Sequence, residues 1–349
     1  MTETVLCGLG SWLPPTVVDN AQVMDPQTAE FVRRRIGIAQ RHRVAPGTAT
    51  LELAYEAGRL ALASSGAESA DALILATTTP DRICPATAPE VASRLGLTGI
   101  PALDINAGCS GFLYACELAR GLISNDRAGR VLVIGAECAS AMINPHDPNT
   151  APLFGDGAGA AVLRTATAAE QATFGATAWG SDGTLADIIA IPAGGSRQRT
   201  PVSSDGELYL HMRGGEVLRN AVRRMTDAVR EVVHATGWRL DEVDVLLAHQ
   251  ANAAITQAVA ARLGLPMERM PSNIASVGNT AAASVPLLLA YAAAGGSLKP
   301  GQRAVLVSFG SGVTWAAVTA TWPANLTPAS HPASTTSHRC EEPCPCPTC

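Results

Sequence analysis

The chain has 349 residues, of which 16% are charged, 47% apolar and 4% aromatic, and its net charge is −5. That balance excludes a basic nucleic-acid-binding surface, and no apolar run reaches the roughly 18–20 residues of a membrane-spanning helix. The length suits one large domain or two ordinary ones made of closely packed helices and sheets. Met1-Thr2-Glu3-Thr4 has no basic start of a secretory signal. Five cysteines are scattered through the body, which fits a reducing cytoplasm better than a disulfide framework.

Thr4 to Leu9 reads as a first strand. Phe31 to Arg43 then carries five arginines on an otherwise acidic protein. Such a run is a solvated face or a landing site for phosphates or an acidic partner. Thr50 to Ser65 is an Ala- and Leu-rich helix, Asp71 to Thr79 a short buried strand, and Glu90 to Leu95 the core of another helix.

The stretch from Asp104 to Ala119 organises the rest. Small residues give way to a helical pattern in which Phe112, Ala115, Cys116 and Ala119 recur at i, i+3, i+4 and i+7. Cys109 falls where the loop becomes the helix, so the free N–H groups and dipole there are expected to lower its pKa. Gly108 and Gly111 leave room for a ligand or another backbone to approach the sulfur. A buried structural cysteine is the competing reading.

Arg130 to Ala136 is a strand, and Phe154-Gly-Asp-Gly-Ala-Gly-Ala-Ala-Val-Leu163 leads into the next. Its glycines open a strand and not a helix, so they read as tight packing and not as a dinucleotide fingerprint. Thr165 to Ala178 is a small-residue connection. Leu208 to Ala235 and Asn252 to Leu263 read as helices around a buried strand at Val243 to Leu247. Asn279 to Ala294 is a very apolar helix, and Arg303 to Val307 a strand. From about Ala324 the chain is rich in Pro, Ser and Thr and ends Cys340-Glu-Glu-Pro-Cys-Pro-Cys-Pro-Thr-Cys349. Only Cys346 and Cys349 have the C-x2-C spacing of a zinc site, so a disordered tail is expected and not a metal knot.

The two halves repeat each other. The strand around Ala76 matches the one around Ala248, the helix opening at Cys109 matches the one at Asn279, and Arg130–Gly135 matches Arg303–Ser308, all at nearly one separation. A duplicated α/β unit places Cys109 and Asn279 at facing helix starts, with His249 beside them at a strand end.

With these residues together the sequence resembles ketosynthase III, the β-ketoacyl-acyl-carrier-protein synthase III branch of the thiolase superfamily. The motifs are Ala107-Gly-Cys-Ser-Gly-Phe112, Phe154-Gly-Asp-Gly-Ala-Gly-Ala160, His249-Gln-Ala-Asn252, Gly278-Asn-Thr-Ala-Ala-Ala-Ser-Val-Pro286 and Phe309-Gly-Ser-Gly-Val-Thr-Trp315. The resemblance implies a five-layered αβαβα fold of two duplicated halves, 1–165 and 166–322, with 323–349 as the tail. It also implies a homodimer with a Cys109, His249 and Asn279 active site and no metal or cofactor. An oxyanion hole from the Cys109 and Ser311 backbone N–H groups follows from the same resemblance, as do acyl-carrier-protein or coenzyme A thioesters as partners.

Departures from the family pattern bear on the substrate. Phe31 stands where the family has a tryptophan against the coenzyme A adenine, and Asp147–Leu153 lacks its arginine partner. Arg35 aligns with an arginine near the tunnel mouth, and Ala254 replaces an arginine linked with carrier docking. Cys84 aligns with a phenylalanine that closes the acyl pocket from the neighbouring subunit. These departures suggest a pathway-specific enzyme of polyketide-type biosynthesis. An acyltransferase passing the Cys109-bound group to a hydroxyl or amine stays open beside condensation, and so does a non-catalytic subunit, which the intact Cys-His-Asn set disfavours.

Overall fold

The computed structural model describes residues 3–171, 173–324 and 326–330. In the first sheet, Ala72–Ala76 lies parallel to Arg130–Glu137, followed by Gly157–Thr165 and Thr4–Trp12, each antiparallel to its neighbour. In the second, Val245–Ala248 lies parallel to Arg303–Gly310, followed by antiparallel Thr314–Thr321 and Phe174–Ser181. The same four-strand order appears twice, as the repeated sequence units require. The first sheet adds Ala102–Ile105 beside Ala72–Ala76 at one edge and Ala329–Ser330 beside Thr4–Trp12 at the other.

Side chains alternate across each strand and so assign the layers. Ile74, Val131, Val133 and Leu163 face inward, as do Val245, Leu247, Ala304 and Leu306 of the second sheet. Between them lie the helices Gly111–Ser124 and Ser284–Ala294, through Phe112, Ala115, Cys116, Ala119, Val285 and Leu288. Leu73, Leu75, Leu132 and Ile134 face outward onto Thr50–Ser65 and Ala88–Arg94. Leu246, Val305 and Val307 face outward onto Gly214–Ala235 and Ala253–Leu263. The result is a helix–sheet–helix–sheet–helix stack in which every central strand is covered on both faces. Such strands read as unbroken apolar runs.

Local chemistry sets the helix ends. Glu52 accepts from Ala49 N–H at the start of Thr50–Ser65, and Gly66 closes that helix in the left-handed region at φ 66°. Asn252 caps Ala253–Leu263 through Ala254 N–H, and Gly264 ends it at φ 68°.

Some boundaries differ from the sequence reading. Phe174–Ser181 is an edge strand inside the expected connection. Its glycines hide it from propensity, but two of them sit tightly under Thr319 and Trp315. The helix expected from Leu208 begins at Gly214, after a short strand at His211–Met212. The helix expected at Asn279 is one 3-10 turn, Ala281–Ala283, before Ser284–Ala294. Past Trp322, Ala329–Ser330 still pairs with Gly10 and Ser11 of the first strand. The expected tail from 331 onward, with its four cysteines, lies outside the described residues.

Candidate active site

Cys109 precedes the buried helix Gly111–Ser124 by two residues. His249 follows directly on the strand Val245–Ala248, and its N–H donates to Val307 O at 2.8 Å. Asn279 is held by its own backbone: its N–H donates to Leu153 O at 2.8 Å and its O accepts from Gly155 N–H at 3.0 Å. Its side-chain Oδ1 accepts from Ala281 N–H at 2.9 Å, which leaves Nδ2, a donor, as the free end.

The loops of the two halves interlock around the sulfur. A Cβ on Gly108, which has φ 54°, would lie 2.6 Å from Ser311 N, and one on Gly310 would lie 2.5 Å from Cys109 N. Thr314 Oγ1 donates to Ala107 O at 2.7 Å and fastens the same junction. The space expected beside Gly108 is therefore filled by backbone of the other half and not by a ligand. That beside Gly111 is taken by Ala76. Among the described residues, neither Cys109 N–H nor Ser311 N–H donates to another residue.

Cys109, His249, Asn279, Ser311 and Phe309 line one cavity of about 620 Å³. Its walls are apolar, with Met142, Phe154, Ile189, Leu210, Val217 and Met225 among them. Phe31, Arg35 and Cys84 do not line it, although Ile36, next to Arg35, does. Phe31 and Cys84 lie exposed on the surface.

The electrostatics overturn one expectation. Burial in apolar surroundings, with the charge of Glu137 added, pushes the Cys109 thiol up to about 12. The helix starts only at Gly111, and a dipole worth about 0.3–2 kcal/mol that fades within a turn loses to desolvation. Burial also pushes His249 down to about 4, and its Nδ1 is buried without a partner. At neutral pH the site rests as a thiol beside a neutral imidazole, which is able to accept a proton.

The arginine run is corrected as well. Arg41 is fully buried, with Nη1 bonded to Asn20 and to Pro152 O, and Arg43 bonds Ala151 O. Arg33 and Arg34 pair with Glu30. Only Arg35 of that run forms no ion pair or side-chain bond among the described residues. Sequence reasoning missed two groups. Arg219 lies beside Gly215, a residue of the cavity wall, and Glu137 is fully buried behind the site. No helix of the described residues is long and apolar enough to cross a membrane, and no cluster of three metal-ligating side chains occurs among them.

Comparison with known proteins identifies the family and the fold. The model of 3-oxoacyl-[acyl-carrier-protein (ACP)] synthase III matches residues 103–183, and that of its C-terminal part matches 233–322. Beta-ketoacyl-[acyl-carrier-protein] synthase III 3 of Streptomyces coelicolor is 49% identical over 92% of this chain and 98% of its own length. The crystal structure of 3-oxoacyl-(acyl carrier protein) synthase III from Pseudomonas aeruginosa superposes with a TM-score of 0.85 at 44% identity, covering 92% of this chain and 98% of that one. A priming β-ketosynthase from a polyketide biosynthetic pathway superposes with a TM-score of 0.85 at 27% identity, covering 93% and 97%.

Proposed function

Because the chain belongs to the 3-oxoacyl-[acyl-carrier-protein] synthase III family, an acyltransferase family, we propose that Cys109, His249 and Asn279 carry its decarboxylative condensation. The observation that supports this most is that the three side chains and Ser311 face one apolar cavity. His249, neutral at pH 7, takes the Cys109 proton on its cavity-facing nitrogen as the sulfur attacks an acyl thioester. The leaving thiolate takes its proton from solvent, so His249 keeps an N–H for the next step and returns that proton to Cys109 when the β-ketoacyl product leaves the sulfur. The Cys109 and Ser311 N–H groups hold the oxyanion of this step. A malonyl-type thioester then loses CO2. Its enolate oxygen accepts from His249 and from Asn279 Nδ2, and its carbon attacks the acyl-Cys to give a β-ketoacyl thioester. No metal or cofactor takes part in this scheme.

The reading extends to a donor that is carrier-bound or larger than acetyl, in specialised, polyketide-type biosynthesis. Three features support it: the cavity has space beyond an acetyl group, Asp147–Leu153 has no arginine, and Phe31 is 58% exposed outside the cavity. A missing cation–π contact to adenine costs about 0.5–2 kcal/mol. Arg35, next to the lining residue Ile36, and Arg219, beside the lining residue Gly215, are suited to steer an acidic carrier protein. In a panel of acetyl-coenzyme A with longer and carrier-bound acyl thioesters, kcat/KM for Cys109 acylation is expected to be several-fold or more higher for the latter. Acetyl-coenzyme A as the best donor would overturn this. Adding malonyl thioester to the acylated enzyme is expected to release CO2. Transfer to a hydroxyl or amine with no CO2 would leave the acyltransferase alternative instead.

A cytoplasmic homodimer completes the reading. Ala102–Ile105 leaves one edge of its sheet open, Leu103 and Leu118 are exposed, and Ile83 is 94% exposed beside Cys84. A second copy pairing along that edge covers them and turns Cys84 toward the neighbouring site. Sedimentation is expected to give twice the 35.9 kDa of the chain. A monomer that remains active would refute the dimer.

A further inference from the structure

Glu137 ends the strand Arg130–Glu137 and has no exposed surface. Its two oxygens accept from Thr78 N–H at 3.0 and 3.1 Å, and from the Thr78 and Thr79 hydroxyls at 2.9 Å. Longer contacts of 3.4 Å come from Thr77 Oγ1 and from Ala282 N–H, in the other half. None of these donors is a cation, which is unusual for a carboxylate so deep in a protein. Thr78 lines the Cys109 cavity, and Ala282 packs against Gly111, two residues past the sulfur. Glu137 thus stands directly behind the nucleophile.

Burial pushes Glu137 up to about 7, within reach of neutral pH. Its charge adds to burial in raising Cys109 and also acts on Cys138, the next residue. Asp156 and Asp81 also act on Cys138, Asp156 more strongly than Glu137, and His249 shares the cavity with Cys109.

We propose that Glu137 is a positioning residue for Cys109: its hydrogen bonds fix the Thr78 wall and the Ala282 turn against the Cys109 helix, and its buried negative charge holds the nucleophile as a thiol between turnovers. The proposal rests on Cys109 being the nucleophile. Two like charges in one low-dielectric pocket disfavour each other, so each proton taken up by Glu137 makes Cys109 easier to ionise.

The test is alkylation of Cys109 by iodoacetamide, a neutral reagent, followed by peptide mass at that residue so that Cys138 does not interfere. In the wild type the logarithm of the rate should rise with pH at unit slope on either side of neutrality. It should flatten near pH 7, with a shortfall of about tenfold. Glu137→Gln should remove the flattening and react about tenfold faster above about pH 8, whereas Glu137→Asp, which keeps the charge, should follow the wild type. A purely structural role would slow or leave unchanged the Glu137→Gln reaction. That result, or an unbroken straight line for the wild type, overturns the proposal. Should Glu137→Gln fail to fold, the wild-type curve decides alone. Because no acyl thioester is involved, a Cys109 that alkylates as described yet is never acylated would sink the nucleophile reading separately.

Discussion

Cys109→Ala is expected to take up no acyl group from any thioester, and formation of β-ketoacyl product to fall by about 10⁴-fold or more. Intact mass after incubation with acyl donors checks the first statement, because the wild type should carry one adduct. The other body cysteines make poor rivals. Cys116 is buried in the central core and its thiol is pushed up by burial. Cys138 is buried too, with its thiol pushed up to about 12. Cys7 is also raised by desolvation, and Cys84 lies on the surface. Cys109 shares the raised pKa of Cys7, Cys116 and Cys138 but differs in two respects: it opens onto a cavity, and His249 lines that cavity with it. A thiol needs a base only where substrate arrives, so access and a neutral imidazole matter more here than a resting thiolate. The fold should survive the substitution, since the hydrogen bonds of the loop come from Ser110, Gly111 and Thr314. An adduct that persists in Cys109→Ala, or maps to Cys116 or Cys138, would overturn the assignment.

The same physics explains what could be seen in the amino-acid sequence. The runs at Ala72–Ala76, Arg130–Glu137, Val245–Ala248 and Arg303–Gly310 are covered on both faces, so their apolar character is unbroken and easy to find. For that reason their periodicity could not say which face met which helix. The duplication supplied what periodicity lacked, by setting Asn279 against Cys109 and His249 at the intervening strand end. Phe174–Ser181 escaped because Gly175, Ala176, Ala178 and Gly180 carry little strand propensity; partners from the opposite strand hold them there. The arginine run misled because charge counts ignore direction. Arg41 points into the fold and supports the segment that carries Pro152, while Arg33, Arg34 and Arg35 turn outward. Glu137 gave no warning, since an acidic residue after an apolar run reads as a solvated strand end. The only hint was the run Thr77-Thr78-Thr79 after the neighbouring strand, a set of hydroxyls that needs an acceptor. The thiol was misjudged because the loop-to-helix boundary looked two residues earlier than it is.

Asn279→Ala is expected to separate the two halves of the reaction. Acylation of Cys109 should continue within a few-fold of the wild-type rate, while CO2 release and condensation fall by about 10²–10³-fold, the usual cost of one donor aimed at developing charge. The division follows from where the side chain is tied. Oδ1 is occupied by Ala281 N–H, so the cavity is offered Nδ2 alone. The thioester oxyanion meets the Cys109 and Ser311 N–H groups instead and does not need it. An enolate oxygen left with His249 as its single donor is poorly matched, because a second hydrogen bond in an apolar cavity carries much of the stabilisation. Asn279→Asp should be worse than Asn279→Ala, since it replaces the donor by an acceptor that repels the enolate. Both variants keep the backbone bonds to Leu153 and Gly155, so the loop has reason to stay in place. Single-turnover acylation by mass, beside CO2 release from a malonyl thioester, makes the comparison. Equal loss in both steps would mean that Asn279 shapes the site as a whole and does not serve the enolate.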